Sequence, residues 1–163
     1  MPVFKEYYQI IAKGQEEVNC LYKSQLNTQN LKEALAKNRE KDILLQRSTV
    51  GIHKDDLQFQ LKDHPLKKFA SQGQLKSYIL ALKLAQFAFV KKSKNTPPLL
   101  LLDDIFDKLD EQRVQQLLIL LFERDFGQIF FTDTKKSRLV NLLQPFNQDI
   151  CQLVIRNGEV VVD

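Results

Sequence analysis

Cysteine, histidine and glycine are all scarce in this chain of 163 residues, and no apolar run is long enough to cross a bilayer. The two cysteines, Cys20 and Cys151, lie far apart and outside any paired motif. That excludes a local zinc cluster and predicts two small buried hydrophobes in a reducing compartment rather than a disulfide. His53 and His64 lack the spacing of a metal-binding pair. The five glycines stand at 14, 51, 73, 127 and 158, and none is followed by lysine. The chain therefore contains no Gly-x-x-x-x-Gly-Lys-Ser/Thr loop, the element whose amides and lysine wrap a triphosphate. Without a spanning segment or a signal-peptide pattern, the expectation is a cytoplasmic protein.

What is present is enough for one domain with a real core: 44% hydrophobic and 27% charged residues. The net charge of +4 permits an anionic partner without requiring one. "VFKEYYQIIAKG" places Phe4, Tyr7, Tyr8 and Ile11 at helical spacing, with Gly14 as the stop. "EEVNCLYKS" alternates as a strand, with Val18, Cys20 and Tyr22 on one face, and residues 31–45 read as a mostly exposed helix. After Gly51 the character changes. "DLQFQL" alternates, then "SQGQLKSYILALKLAQFAFV" predicts a helix with Leu75, Tyr78, Ile79, Leu82 and Phe89 on one stripe. Residues 99–102 form an unbroken leucine strand, suited to a sheet covered on both faces. A helix over 111–123, the apolar strand "QIFFT", a short helix near 137–143 and a hairpin turning at Asn157-Gly158 complete the chain. Strand and helix alternate, which predicts an α/β fold with parallel strands.

The run "LLLLDD" sets Asp103 and Asp104 directly after the leucines. In open parallel sheets the reactive crevice lies beyond the carboxyl ends of the strands. A carboxylate there can hold Mg²⁺ bound to a nucleotide, and its neighbour can orient an attacking water. The plainer alternative is a pair of acids capping the next helix. A phosphatase-like or two-metal site fits less well, because Ile105 and Phe106 stand where alternate acids would be needed. Upstream, "ASQGQ" precedes the long helix. Ser71 offers a hydroxyl, Gly73 allows close approach, and the helix start offers free N–H groups to a phosphate. Taken alone, Ser71 is equally a simple N-cap.

In their order and spacing these segments resemble the C-terminal half of the RecF family, ABC-type ATPases of the structural-maintenance-of-chromosomes-like group that act in DNA replication and recombinational repair. "GIHKDDLQFQL" resembles the family's strand entry, "SQGQLKSYILALKLAQ" its signature motif and helix, "LLLLDD" its Walker B strand and "DKLDEQR" its D-loop, while "FFTDT" falls at the end of the switch strand. The resemblance implies an α/β fold: the C-terminal half of a P-loop NTPase head, a parallel-rich sheet flanked by helices. Residues 1–50 would be the end of a helical lobe and the return to the head, and residues 51–163 the rest of the head. It further implies ATP and Mg²⁺ as cofactors. Asp103 would bind Mg²⁺, Asp104 would position or activate the hydrolytic water, and Ser71, Gly73 and Gln74 would contact the γ-phosphate of an ATP held by another subunit. Asp110 would couple the two sites. His53, Asp55 and Asp56 would be structural.

The implied function is an ATP-dependent DNA clamp that dimerises on ATP, acts at single-strand/double-strand junctions, and works with recombination mediator proteins of the same pathway. Two departures accompany the match. Thr132, Asp133 and Thr134 stand where most ABC ATPases have the switch histidine, a histidine this family generally lacks. The Walker A loop is absent, so the chain resembles the second half of an ATPase and is expected to be inactive alone, with apolar sheet edges left exposed. The alternative is a non-enzymatic subunit lending a signature loop or a DNA surface to a partner. The basic groups Lys67 and Lys68, Lys91, Lys92 and Lys94, and Lys135, Lys136 and Arg138 read as solvated charge, since acids are interspersed and stacking aromatics are not.

Overall fold

The structure, a computed structural model, describes residues 1–14, 16–106, 109–134, 136–146 and 149–161. Helix α1 (Pro2–Ile11) buries Phe4, Tyr7, Tyr8 and Ile11, the four residues its spacing singles out. It ends in a Schellman arrangement: Gly14 N–H donates to the Gln9 carbonyl and Lys13 N–H to that of Ile10. Lys13 and Gly14 both have positive φ, so the glycine predicted as the stop is the second of two left-handed residues that end the helix.

Strand β1 (Val18–Lys23) is separated from β2 (Asp56–Leu61) by helix α2 (Leu31–Leu45), and the two strands pair antiparallel with Val18 opposite Leu61 and Lys23 opposite Asp56. Helix α2 buries Ala34 alone, as its composition predicts. The short β3 (His64–Pro65) adds to β2, and the single turn α3 (Leu66–Phe69) leads into the 23-residue α4 (Gln72–Lys94).

The stripe predicted on α4 is not the one that is buried. Leu75, Ile79 and Phe89 are exposed and Leu82 is only partly covered, while Ser77, Leu80, Ala81, Leu84 and Phe87 join Tyr78 in the interior. The helix is apolar over most of its circumference, so its periodicity does not choose a face. Packing against α1 does. Tyr78 is central to that contact: its ring meets Phe4 edge-on at 4.8 Å and lies 6.0 Å from Tyr8 and 5.5 Å from Phe59. Its hydroxyl donates to the Asn19 carbonyl at 2.7 Å, which ties α4 to β1.

Strand β4 (Leu100–Asp103), helix α5 (Glu111–Glu123) and strand β5 (Ile129–Thr132) form a parallel crossover, with Leu100 opposite Ile129 and Asp103 opposite Thr132. Helix α5 buries Val114, Leu117, Leu118, Leu120 and Leu121. Leu100 and Leu102 are buried, but Leu101 is 71% exposed and Leu99 63%. The leucine strand is thus covered on one face, not both, and among the described residues β5 is its only neighbour. Helix α6 (Lys136–Leu143) follows, and β6 (Val154–Arg156) and β7 (Glu159–Val161) pair around Asn157 and Gly158, both at positive φ as a type I′ turn requires.

The sheets are therefore mixed, with one parallel pair and antiparallel pairing elsewhere. Residues of α1 and β1 share one core with α4 and α5, and α2 contributes nothing to it. Cys20 is partly buried and Cys151 exposed, which corrects the expectation of two buried thiols. Leu117, fully buried, and Leu101, on the open face, give a contrast. Leu117→Ala is expected to lower the unfolding free energy by about 2–5 kcal/mol. Leu101→Thr should change it by less than about 0.5 kcal/mol while reducing self-association. Urea titration and sedimentation check the pair.

Candidate functional site

Strand β4 delivers Asp103 to its C-terminal end, directly opposite Thr132 on β5. The Thr132 hydroxyl donates to an Asp103 carboxylate oxygen and accepts from the Asp104 N–H at 3.2 Å. One hydroxyl thus bridges the side chain of the first acid and the backbone of the second. Asp104 sits in the left-handed region at φ +43, a conformation that costs a non-glycine residue about 1–2 kcal/mol and persists only where its surroundings enforce it. Here they do. Ile105 and Phe106 are buried just beyond, Phe106 stacks on Phe131 at 5.9 Å, and an Arg138 guanidinium N–H donates to the Phe106 carbonyl. Lys76 on α4 donates to the Asp104 carbonyl at 2.7 Å. Both Asp103 and Asp104 are nevertheless exposed. At the end of β5, Thr132 is the residue whose hydroxyl bonds both acids. The Asp133 side chain is 2% exposed and lies 4.0 Å from Arg138, and Thr134 is exposed beyond it.

The second group of predicted residues gathers at the start of α4. Ser71 is an N-cap in a full capping box: its Oγ accepts from the Gln74 N–H at 3.2 Å, and Gln74 Oε1 accepts from the Ser71 N–H at 2.7 Å. The plain capping role is therefore real. It does not consume the serine, because a hydroxyl that accepts keeps its proton to donate, and Ser71 is exposed. Gly73 lies in the first turn, where the amides have no intrahelical acceptor. Gln74 is tied back into the chain, its Nε2 donating to Glu16 Oε1 at 2.8 Å.

Glu16 and Arg113 are the residues that sequence reasoning missed. Glu16 Oε1 also accepts from Arg113 Nη2 at 2.9 Å, and Oε2 accepts from the Tyr8 hydroxyl. Arg113 spends its other donors on Ser77 Oγ (3.2 Å, from Nη1) and Asp110 Oδ2 (3.1 Å, from Nε). Asp110, expected on the D-loop, is the N-cap of α5, its Oδ1 accepting from the Arg113 N–H at 2.8 Å. An Asp-x-x-Arg at a helix start was the one local signal for Arg113. Nothing local ties Glu16 to α4 or α5, since its partners Gln74 and Arg113 lie 58 and 97 residues away. Farther off, the Tyr22 hydroxyl donates to Asp55, Asp56 accepts from the Leu57 N–H, and the His53 ring is 3.2 Å from the Ser48 carbonyl. All three residues serve the β2 entry turn.

No protein-family model matches the chain. Curated proteins do match it. Over 159 residues it is 48% identical to the DNA replication and repair protein RecF of Parabacteroides distasonis, covering 98% of this chain and 44% of that protein. Against RecF of Phocaeicola vulgatus it is 45% identical over 161 residues, covering 98% of this chain and 43% of that protein. The chain belongs to the RecF family. It corresponds to the C-terminal part of RecF and spans under half the length of these relatives. A solved structure of the recombination mediator protein RecF-ATP in the RecFOR pathway superposes with a TM-score of 0.73 at 23% identity, covering 98% of this chain and 42% of that one. A structure described for ATP-driven dimerization and DNA stimulated activation of SMC ATPases gives 0.53 at 15% identity, covering 98% and 83%. These place the fold among the ABC-type P-loop ATPase heads.

In RecF terms, the acids at the end of β4 offer hard oxygen donors, the set that suits Mg²⁺ held chiefly by phosphate oxygens and water. No cluster of three or more His, Cys, Asp or Glu side chains that could hold a metal ion occurs among the described residues. Among the basic groups, Lys91 is paired with Asp125 at 2.6 Å and Arg138 is held by Phe106 and Asp133, whereas Lys67 and Lys68 are exposed. Lys135 lies outside the described residues. No helix among the described residues is long and apolar enough to cross a membrane.

Burial opposes ionisation of Glu16, but hydrogen bonds from Tyr8, Gln74 and Arg113 outweigh it and hold the carboxyl below its ordinary 4.5. Burial, reinforced by Glu16, pushes the Tyr8 phenol up. A carboxyl depressed by folding contributes stability that is complete above its unfolded value and is lost as pH falls through the folded one. The stability gap between the native chain and Glu16→Gln should therefore be widest at neutral pH and close as pH drops below 4.5. Urea midpoints across that range measure it.

Proposed function

We propose that this chain supplies the water-positioning and signature halves of an ATP-dependent DNA clamp of the RecF type. The observation that carries this reading is the exposed Asp103–Asp104 pair, immobilised at the end of a parallel strand with the Thr132 hydroxyl between them. A site fixed in this way needs no reorganisation when charge develops. Asp103 would hold the Mg²⁺ of ATP, which would draw charge from the phosphate oxygens. Asp104 would accept a hydrogen bond from the attacking water and set its direction. Thr132 keeps the two acids in register, and it occupies the switch position.

Ser71 and the first amides of α4 would face the γ-phosphate of an ATP held by a second subunit, with the serine proton and the positive helix terminus as donors. Gln74 supports this surface by completing the capping box. Asp110 would carry the state of one site to the other across the homodimer. Helix α2, outside the common core, would be the remnant of the inserted helical lobe. DNA at single-strand/double-strand junctions and recombination mediator proteins would be the partners, in the cytoplasm. The match to RecF proteins supports these assignments, as does the accessibility of both clusters.

With no Gly-x-x-x-x-Gly-Lys-Ser/Thr in its sequence, the 163-residue chain is expected to hydrolyse no ATP above an Asp103→Ala control. Steady magnesium-dependent turnover would contradict this. In a chain completed by a Walker A half, Asp104→Asn should lower turnover by about 10²-fold, the lower end of what a positioned base supplies, and prolong the ATP-bound dimer. Ser71→Arg should abolish ATP-dependent dimerisation by filling the γ-phosphate position. Sedimentation with and without ATP decides the matter: unchanged dimerisation in Ser71→Arg overturns the trans contact. If dimerisation needs a separate Walker A polypeptide, the chain is instead a non-enzymatic subunit.

A further inference from the structure

Signature loop and D-loop belong to different helices, yet one unbroken path of hydrogen bonds joins them. Ser71 and Gln74 share the capping box, Gln74 donates to Glu16, Arg113 donates to the same Glu16 oxygen, and Arg113 donates twice to Asp110. We propose that Glu16 and Arg113 are positioning residues that lock the Ser71 cap of α4 to the Asp110 cap of α5, so that neither loop can move without the other. The proposal deepens the function proposed for this site and rests on it for its purpose, though not for its geometry.

Three features distinguish this path from an ordinary ion pair. It is sheltered, with Arg113 and Glu16 side chains 14% and 12% exposed, so each charge depends on the other for its solvation. It is also multiply bonded: Glu16 receives Gln74, Arg113 and, from α1, Tyr8, while Arg113 reaches Ser77 in the interior of α4 as well. Finally, its ends fall at the two loops to which the proposed function gives a role, one facing the nucleotide and one coupling the sites, and each is an N-cap with an exposed side chain. The planar guanidinium makes this possible, because its forked donors reach Glu16, Ser77 and Asp110 at once, which the single ammonium of lysine cannot reproduce. A buried pair is poor evidence for stability by itself; specifying the relative placement of two helix starts is the better account of why one lies here.

The test reads the coupling without nucleotide. In the 163-residue chain, Arg113→Lys and Glu16→Ala should each raise exchange of the backbone amides at Gln74 and at position 113, corrected for intrinsic rate, by roughly tenfold, the change expected when a cap is released. Amides of the β1–β2 ladder should stay at their native rates. Arg113→Lys retains the charge and guards against a variant that fails to fold. No change at Gln74 in Arg113→Lys, or a uniform rise across every amide, overturns the proposal, since the first denies the link and the second reduces it to general stability. In a chain completed by a Walker A half, Arg113→Lys should weaken ATP-dependent dimerisation with the ATP affinity of the monomer unchanged. If Ser71→Arg leaves dimerisation intact while the exchange result stands, the assigned function fails and the coupling survives.

Discussion

The Glu16–Arg113 pair is the constraint on which the arrangement of this molecule turns. It joins a loop near the N-terminus to the first turn of α5, across 97 residues of sequence, and takes in the start of α4 on the way. Two charges sheltered from water are tolerable only when each is paired and its remaining hydrogen-bonding groups are satisfied. Tyr8 of α1, Gln74 and Ser77 of α4, and Asp110 at the start of α5 meet that demand. The ring cluster around Tyr78 brings α1, α4 and the β1–β2 sheet close enough for the pair to form. Apolar packing sets the distance, and the polar network sets the register.

The acid-bearing end of β4 follows the same logic with different materials. Buried aromatic and aliphatic side chains just past the strand hold a turn that Asp104 would not adopt freely, and Thr132 completes it with one hydroxyl. Preorganisation of this kind suits a catalytic edge, because the geometry is set before any ligand arrives. The open face of Leu99 and Leu101 has the opposite character. It is apolar surface with no cover among the described residues of a chain that spans less than half of its relatives' length.

Much of this was legible in the residues. The buried face of α1 follows from helical spacing, because that helix has a polar side to contrast with its apolar one. The hairpin at Asn157-Gly158 follows from turn chemistry. The Ser71 cap and the Asp103–Asp104 strand end were recognisable because both are local patterns. The face of α4 was not, since leucine, phenylalanine and isoleucine surround that helix and only a neighbour could select among them. Nor was the exposure of Leu101 and Cys151, because burial depends on what lies opposite.

The sequence by itself determined the main elements, the order of the motifs and the resemblance to the RecF family, all of which reside in short-range spacing and composition. Only the tertiary structure decided which face of α4 is internal, that the leucine strand is covered on one side, and that Glu16 and Arg113 bind two distant loops together. Contacts between residues tens of positions apart leave no periodic trace in a chain; they come into being when packing brings the partners within hydrogen-bonding reach.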